Sequence, residues 1–180
     1  QENPRAVHRH TAAMLEGARN VYWRLTAREN LAFFAGVAGR DTDHLRDRHE
    51  ELLERLNLAD RADESVRKLS RGMKQKVSLA TTLARDVDVV FLDEPTLGLD
   101  VESSLELRRE LAALVAERNL AVVLSSHDMD VIQELCDRVV VLSDGKVVAD
   151  DSVDALLEAF QTQTYEFRIE RGVDETLCEE

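Results

Sequence analysis

The chain has 180 residues, enough for one domain with a core of its own. Its 36 acids outnumber its 23 bases, for a formal charge of −13, and four of those bases are lysines: Lys68, Lys74, Lys76 and Lys146. That balance excludes general nucleic-acid binding, which needs a basic footprint. No apolar run reaches membrane-spanning length, nothing resembles a signal peptide, and Cys136 and Cys178 stand far apart, outside any metal-ligand spacing.

Residues 10–15 read as a strand. Thr26-Ala27-Arg28-Glu29 is a capping-box signal, with a glutamate three residues after a threonine. Leu31, Phe34 and Ala35 then give a helical stripe that ends near Gly39. Leu45, Leu52, Leu53 and Leu56 predict a second amphipathic helix over residues 42–57. A third begins within Leu69-Ser70-Arg71-Gly72-Met73-Lys74-Gln75-Lys76, with Val77, Ala80, Leu83 and Ala84 on one face. From Val87 onward strands at 89–92, 121–124, 139–142 and 147–149 alternate with helices at 102–118 and 129–136, a pattern of mostly parallel sheet. Ser143-Asp144-Gly145-Lys146 lies between two Val-rich runs and reads as a hairpin turn. A short helix at 153–160 and a strand at 164–169 close the chain.

The run Val89-Val90-Phe91-Leu92-Asp93-Glu94-Pro95-Thr96 carries the most chemistry. Its four apolar residues predict a strand buried on both faces, with two carboxylates at its C-terminal tip. In open α/β sheets ligands bind beyond such tips, and an acid there suits Mg²⁺. Phe91, Leu92 and Leu124 are read as core. Ser70 is placed to cap the third helix and Gly72 to let backbone approach an anion, with Lys74 and Lys76 adding positive field. His127 follows a strand tip in Ser125-Ser126-His127-Asp128; His8, His10, His44 and His49 have no such context and are expected to face solvent. Cys136 falls on an apolar helical stripe and reads as a buried free thiol.

In order and spacing these motifs resemble the ATP-binding domain of ABC transporters, from about residue 11 to residue 151. Leu69 to Gln75 resembles the signature motif, Val89 to Glu94 the Walker B strand with its glutamate, Leu97-Gly98-Leu99-Asp100 the D-loop, and His127 the switch histidine. The resemblance implies an α/β fold of the P-loop NTPase type, its mostly parallel sheet incomplete here, with an inserted helical signature subdomain. It implies four segments: a Q-loop region at 1–22, the helical subdomain at 23–86, the ATPase core at 87–150 and a C-terminal extension at 151–180. Asp93 is then expected to hold Mg²⁺ through water, Glu94 to activate the attacking water and His127 to sense the γ-phosphate. Ser70, Gly72, Lys74, Asp100 and Glu16 are expected at the nucleotide, Asp100 at the dimer seam. Glu16 stands where the family carries the Q-loop glutamine, so a charged ligand replaces a neutral one.

No G-x-x-x-x-G-K-[ST] loop occurs in the sequence. Residues 1–180 are therefore expected to be the C-terminal part of the domain, cut between Walker A and the Q-loop, and inactive alone. The implied cofactors are ATP and Mg²⁺. The implied partners are a second ABC ATPase domain, paired head to tail, and a membrane-spanning permease; the implied place is the cytoplasmic face of the cell membrane. Tyr22-Trp23-Arg24-Leu25-Thr26 and Gly72-Met73-Lys74-Gln75 resemble the ABC-2 exporter group. A non-catalytic subunit that lends only its signature motif and a non-transport ABC ATPase are the alternatives.

The acid excess fits a high-salt cytoplasm better than an ordinary acidic protein, because self-repulsion opposes the compact state unless ions screen it. Screening lengths fall from about 10 Å at 0.1 M salt to about 3 Å at 1 M. The thermal midpoint is expected to rise from low to molar KCl. A flat or falling midpoint across a KCl series overturns this reading.

Overall fold

The computed structural model describes residues 4–161. They fall into two compact units, one ending at Leu135 and one beginning at Cys136. The break lies inside the segment expected as one ATPase core at 87–150. The strand expected at 164–169, and Cys178, lie outside the described residues.

The first unit opens with a helix the sequence pattern does not announce, α1 (Pro4–His10), started by a proline at its first position. Strand β1 (Thr11–Met14) follows directly. Helix α2 (Ala27–Val37) carries the expected capping box: the Glu29 N–H donates to Thr26 Oγ1 at 3.1 Å, and the Thr26 N–H donates to Glu29 Oε2 at 2.8 Å. Helix α3 (Arg46–Arg55) is shorter than expected. At its front the Asp43 N–H donates to Asp41 Oδ1 at 3.0 Å, and this local turn competes with helix.

Helix α4 (Arg71–Leu83) is the central beam of the unit. Ser70 caps it by accepting from the Met73 N–H at 3.2 Å, and every side chain from Gln75 to Leu83 is buried. Strand β2 (Val89–Asp93), helix α5 (Val101–Arg118), strand β3 (Ala121–Ser125) and helix α6 (Met129–Leu135) complete it.

The sheet is parallel in the order β1-β2-β3. Met14 pairs with Leu92, Leu92 with Leu124, and Asp93 with Ser125, so all three strands end at one edge. On one face Ala12, Met14, Val90 and Leu92 join a continuous core with Leu79, Leu83, Leu107, Leu111 and Leu114. A fully buried leucine contributes roughly 1.5–3 kcal/mol, so this cluster holds α4 and α5 against the sheet.

The other face departs from the sequence expectation. Phe91 is 45% exposed and Val123 is 56% exposed, so β2 is buried on one face and Phe91 is not a core residue. Successive strand residues point to opposite faces, and the buried core of this unit lies on one of them. An apolar run alone cannot tell a strand covered twice from one covered once.

The second unit contains β4 (Arg138–Ser143), β5 (Lys146–Ser152) and helix α7 (Val153–Gln161). The two strands form an antiparallel pair separate from the parallel sheet. Asp144 and Gly145 both have positive φ, 49° and 73°, as a two-residue hairpin turn demands. Arg138 holds Asp150 across the pair through Nε at 2.8 Å and Nη2 at 2.9 Å. Cys136 is half-buried and follows α6 rather than lying on it; burial pushes its thiol up, away from reactive thiolate.

His49 corrects a second expectation. It is 4% exposed, on the inner face of α3, with Nε2 3.4 Å from the Ala84 carbonyl at the end of α4. Burial pulls its pKa below the ordinary histidine value, and the neighbouring Arg48 adds to that. The folded state therefore favours the neutral ring. Its contribution is complete above pH ~6.5, the unfolded value, and is lost as pH falls through the lowered folded value. Melting of the parent chain is expected to weaken below pH ~6.5 more steeply than melting of His49→Met, which cannot charge. Parallel slopes in the two melt series sink this assignment.

Candidate nucleotide site

The site is assembled at the C-terminal edge of the parallel sheet, entirely within the first unit. Asp93 ends β2 beside Ser125 at the end of β3. The Ser125 hydroxyl donates to Asp93 Oδ1 at 2.7 Å. The next residue, Glu94, turns sharply with φ 48°, in the left-handed region that non-glycine residues rarely enter. Such a conformation costs of order 1–3 kcal/mol and persists only where the surroundings fix it.

They fix it from three sides. The Glu94 N–H donates to the Ser125 carbonyl at 3.1 Å. The Glu94 carbonyl accepts from Gln75 Nε2 at 3.1 Å and from the Leu97 N–H at 3.2 Å. The side chain is aimed two residues past the β3 tip: His127 Nδ1 lies 2.8 Å from Glu94 Oε1, and the His127 N–H donates to the same oxygen at 3.1 Å. This carboxylate raises the His127 pKa by hydrogen bonding and by charge, with Asp128 adding a smaller effect.

The signature segment packs beside this turn. Ser70 is the N-cap of α4, as expected. Gly72 lies against the D-loop: a Cβ there would stand 3.2 Å from Leu99 Cδ2. Gly98 has φ 79°, a conformation that favours glycine, and a Cβ on it would lie 2.4 Å from the Arg71 guanidinium, which would have to move aside. Asp100 caps α5, accepting from the Ser103 N–H at 2.8 Å and the Ser103 hydroxyl at 3.0 Å, which holds its carboxyl below the usual range. Lys74 sits with Nζ 5.1 Å from the centre of the Trp23 ring, a cation–π contact. Glu16 is exposed, two residues past the tip of β1, in a short 3₁₀ turn (Glu16–Ala18) with Gly17 at φ 75°.

The structure thus brings Asp93, Glu94 and His127 together, and sets Ser70 and Gly72 at the start of one helix beside them. Glu16 shares their sheet edge without touching them. Lys74 and Asp100 are engaged with Trp23 and with α5. Two residues escaped the sequence reading. Ser125 was part of a recognised tetrapeptide, and only the strand register shows that it faces Asp93. Gln75 stood within the signature, and only the packing of α4 beside the turn after β2 shows its contact.

Mg²⁺ prefers oxygen donors and keeps several waters, so one strand-tip carboxylate and a neighbouring hydroxyl suit it. Asp93 and Ser125 are such a donor pair. They would hold the ion, which when bound supplies charge neutralisation to phosphate oxygens.

The family profile described as ABC transporter matches residues 1–97. The ATP-binding protein NatA of Bacillus subtilis is 31% identical over 176 residues, covering 96% of this chain and 71% of NatA. The chain belongs to the ATP-binding family of ABC transporters. A methionine import ATP-binding protein of Salmonella enteritidis is 38% identical over 134 residues, and a fluoroquinolones export ATP-binding protein of Mycobacterium tuberculosis is 41% identical over 134. The chain spans 42% of the length of each of these two relatives. Among solved structures, an ATP-binding subunit of an ABC transporter superposes with TM-score 0.76 at 28% identity, covering 89% of this chain and 66% of its own. The cbiO1 subunit of Clostridium perfringens has the same fold, with TM-score 0.75 at 24% identity. The family is one of ATP-binding, ATP-hydrolysing proteins, and the α/β sheet with its packed helices is the ABC ATPase fold.

The Glu94–His127 contact is read directly by histidine titration. Because pairing raises the His127 pKa, the paired form is complete below the ordinary histidine value, about 6.5, and is lost as pH rises through the raised value. Nuclear magnetic resonance is expected to place the His127 midpoint above ~6.5 in the parent and to return it toward ~6.5 in Glu94→Gln. An unmoved midpoint removes Glu94 as its partner.

Proposed function

We propose that this chain is part of the ATP-hydrolysing subunit of an ABC-2 type exporter. The observation that carries the reading is the tethered carboxylate: Glu94 stands at the sheet edge where γ-phosphate and water would meet, with His127 on its side chain. Asp93 is assigned to Mg²⁺, Glu94 to orienting and activating the attacking water, and His127 to a γ-phosphate oxygen. Catalysis of this kind is mainly positioning and charge stabilisation. Ser70 and Gly72 are assigned to the nucleotide held by a second ABC ATPase domain in a head-to-tail dimer. Lys74 is assigned to the positive field there, Asp100 to the seam, and Glu16, two residues past the tip of β1, would contribute a ligand to the metal.

A membrane-spanning partner is supported by the exposed aromatic patch after β1. Tyr22 is exposed and packs on Phe33 and Phe34 at ring-centre distances of 4.9 and 5.6 Å, and Trp23 beside it is 51% exposed. No described helix is long and apolar enough to cross a membrane itself. The subunit would then work at the inner face of the cell membrane through that partner. The Gly72-Met73-Lys74-Gln75 form of the signature supports the export reading, while the similar proteins include both an import and an export protein.

The test joins a family P-loop segment ahead of Gln1 and compares the parent with Glu94→Gln. The amide keeps the size and much of the hydrogen bonding but removes the charge that polarises water. Hydrolysis is expected to fall by roughly two or more orders of magnitude while nucleotide binding persists, leaving an ATP-dependent dimer in gel filtration. Hydrolysis near the parent rate means Glu94 is not the catalytic carboxylate.

A further inference from the structure

Gln75 is buried in the fifth position of α4, 4% exposed, and its amide is aimed out of the helix at the turn after β2. Nε2 donates to two successive carbonyls, Glu94 at 3.1 Å and Pro95 at 3.1 Å. These are the carbonyls of the left-handed residue and of the proline that follows it. A left-handed glutamate is unfavourable by itself, so whatever holds its carbonyl decides where its side chain points. The other backbone restraints come from Ser125 on β3 and Leu97 in the turn itself. Gln75 is the restraint that comes from the signature helix. Five residues before it, Ser70 caps the same rigid helix, and Gly72 and Arg71 lie against Leu99 and Gly98.

We propose that Gln75 is a positioning residue that fixes the backbone of Glu94 and ties the orientation of its carboxylate to the placement of α4. A shift of α4, when its N-terminus meets or leaves a phosphate, is passed through the Gln75 amide to the Glu94 carbonyl. The same amide keeps Glu94 Oε1 on His127. This inference rests on the reading of Glu94 as the catalytic carboxylate only for its consequence in hydrolysis; the linkage itself is a matter of geometry.

The variant Gln75→Met keeps the buried volume and removes the donor. Residues 1–180 carry the first measurement, the imidazole resonances of His127. In Gln75→Met they are expected to move toward those of Glu94→Gln, because the carboxylate is no longer held in place. The second measurement is steady-state hydrolysis with a P-loop segment joined ahead of Gln1. It is expected to lose roughly tenfold or more in kcat with KM for ATP little changed, since binding does not pass through Gln75. If Gln75→Met does not fold, Gln75→Asn withdraws the amide by one methylene and serves in its place. A variant with parent-like His127 resonances overturns the proposal, even if its melting point drops, since packing alone then explains the residue. If Glu94→Gln hydrolyses ATP at the parent rate, the functional assignment of Glu94 fails, and the His127 resonances still decide whether Gln75 positions it.

Discussion

The parallel register of β2 with β3 is the constraint on which the site depends. Pairing Asp93 with Ser125 puts two strand ends side by side, so a carboxylate from one strand and a histidine loop from the next meet over a few ångströms. A one-residue slip would turn every side chain of a strand to the other face, taking Val90 and Leu92 out of the core and Asp93 away from Ser125. The core that enforces the register and the polar tips that use it are the same five residues read on alternate positions. Stability and site geometry are therefore not separable here.

Helix α4 plays the complementary part. Its middle is buried on all sides, so it moves as a body, and each end meets a different neighbour. At the N-terminus Gly72 and Arg71 touch the turn that carries Gly98 and Leu99. At the C-terminus the Ala84 carbonyl meets His49, and the Asn20 amide donates to Thr82 Oγ1 at 3.1 Å from the segment after β1. A buried polar network of this kind is costly to leave half-satisfied, which fixes one arrangement of helix and loops. The aromatic patch at Tyr22 is held by the same logic. Asn30, fully buried, accepts from the Tyr22 N–H at 2.7 Å and donates to the Tyr22 carbonyl at 3.0 Å.

What the sequence made legible was local or ordered along the chain. The Thr26–Glu29 box, the Ser70 cap, the Asp144-Gly145 turn and the acids at the tip of β2 each depend on neighbours within a few residues. The motif order carried the family, and with it the fold. What it left hidden depends on residues far apart. Phe91 looked like core because a run of apolar residues carries no record of which faces are covered. His49 looked solvated because its burial is set by Ala84, 35 residues away. Gln75 and Ser125 could be named only once β2, β3 and α4 were in place. Register and helix crossing are tertiary facts, and no periodicity within one segment encodes them.

One tension runs through the whole chain: a polypeptide of charge −13 belongs to a family that binds the polyanion ATP. The capped helices resolve it locally. Helix α2 places Glu29 in its first turn, and α5 is capped by Asp100 with Glu102 following; both follow the ordinary rule that acids stabilise a helix N-terminus. Helix α4 breaks the rule. Its cap is the neutral Ser70, its first turn holds no acid, and Arg71 and Lys74 are basic. Stability alone would favour an acid there, worth about 0.3–1 kcal/mol. Leaving the position empty of negative charge keeps the dipole and the free N–H groups of α4 available to an external anion. On so acidic a surface, a neutral cap followed by a first turn with basic residues and no acid is a charge pattern compatible with an anion.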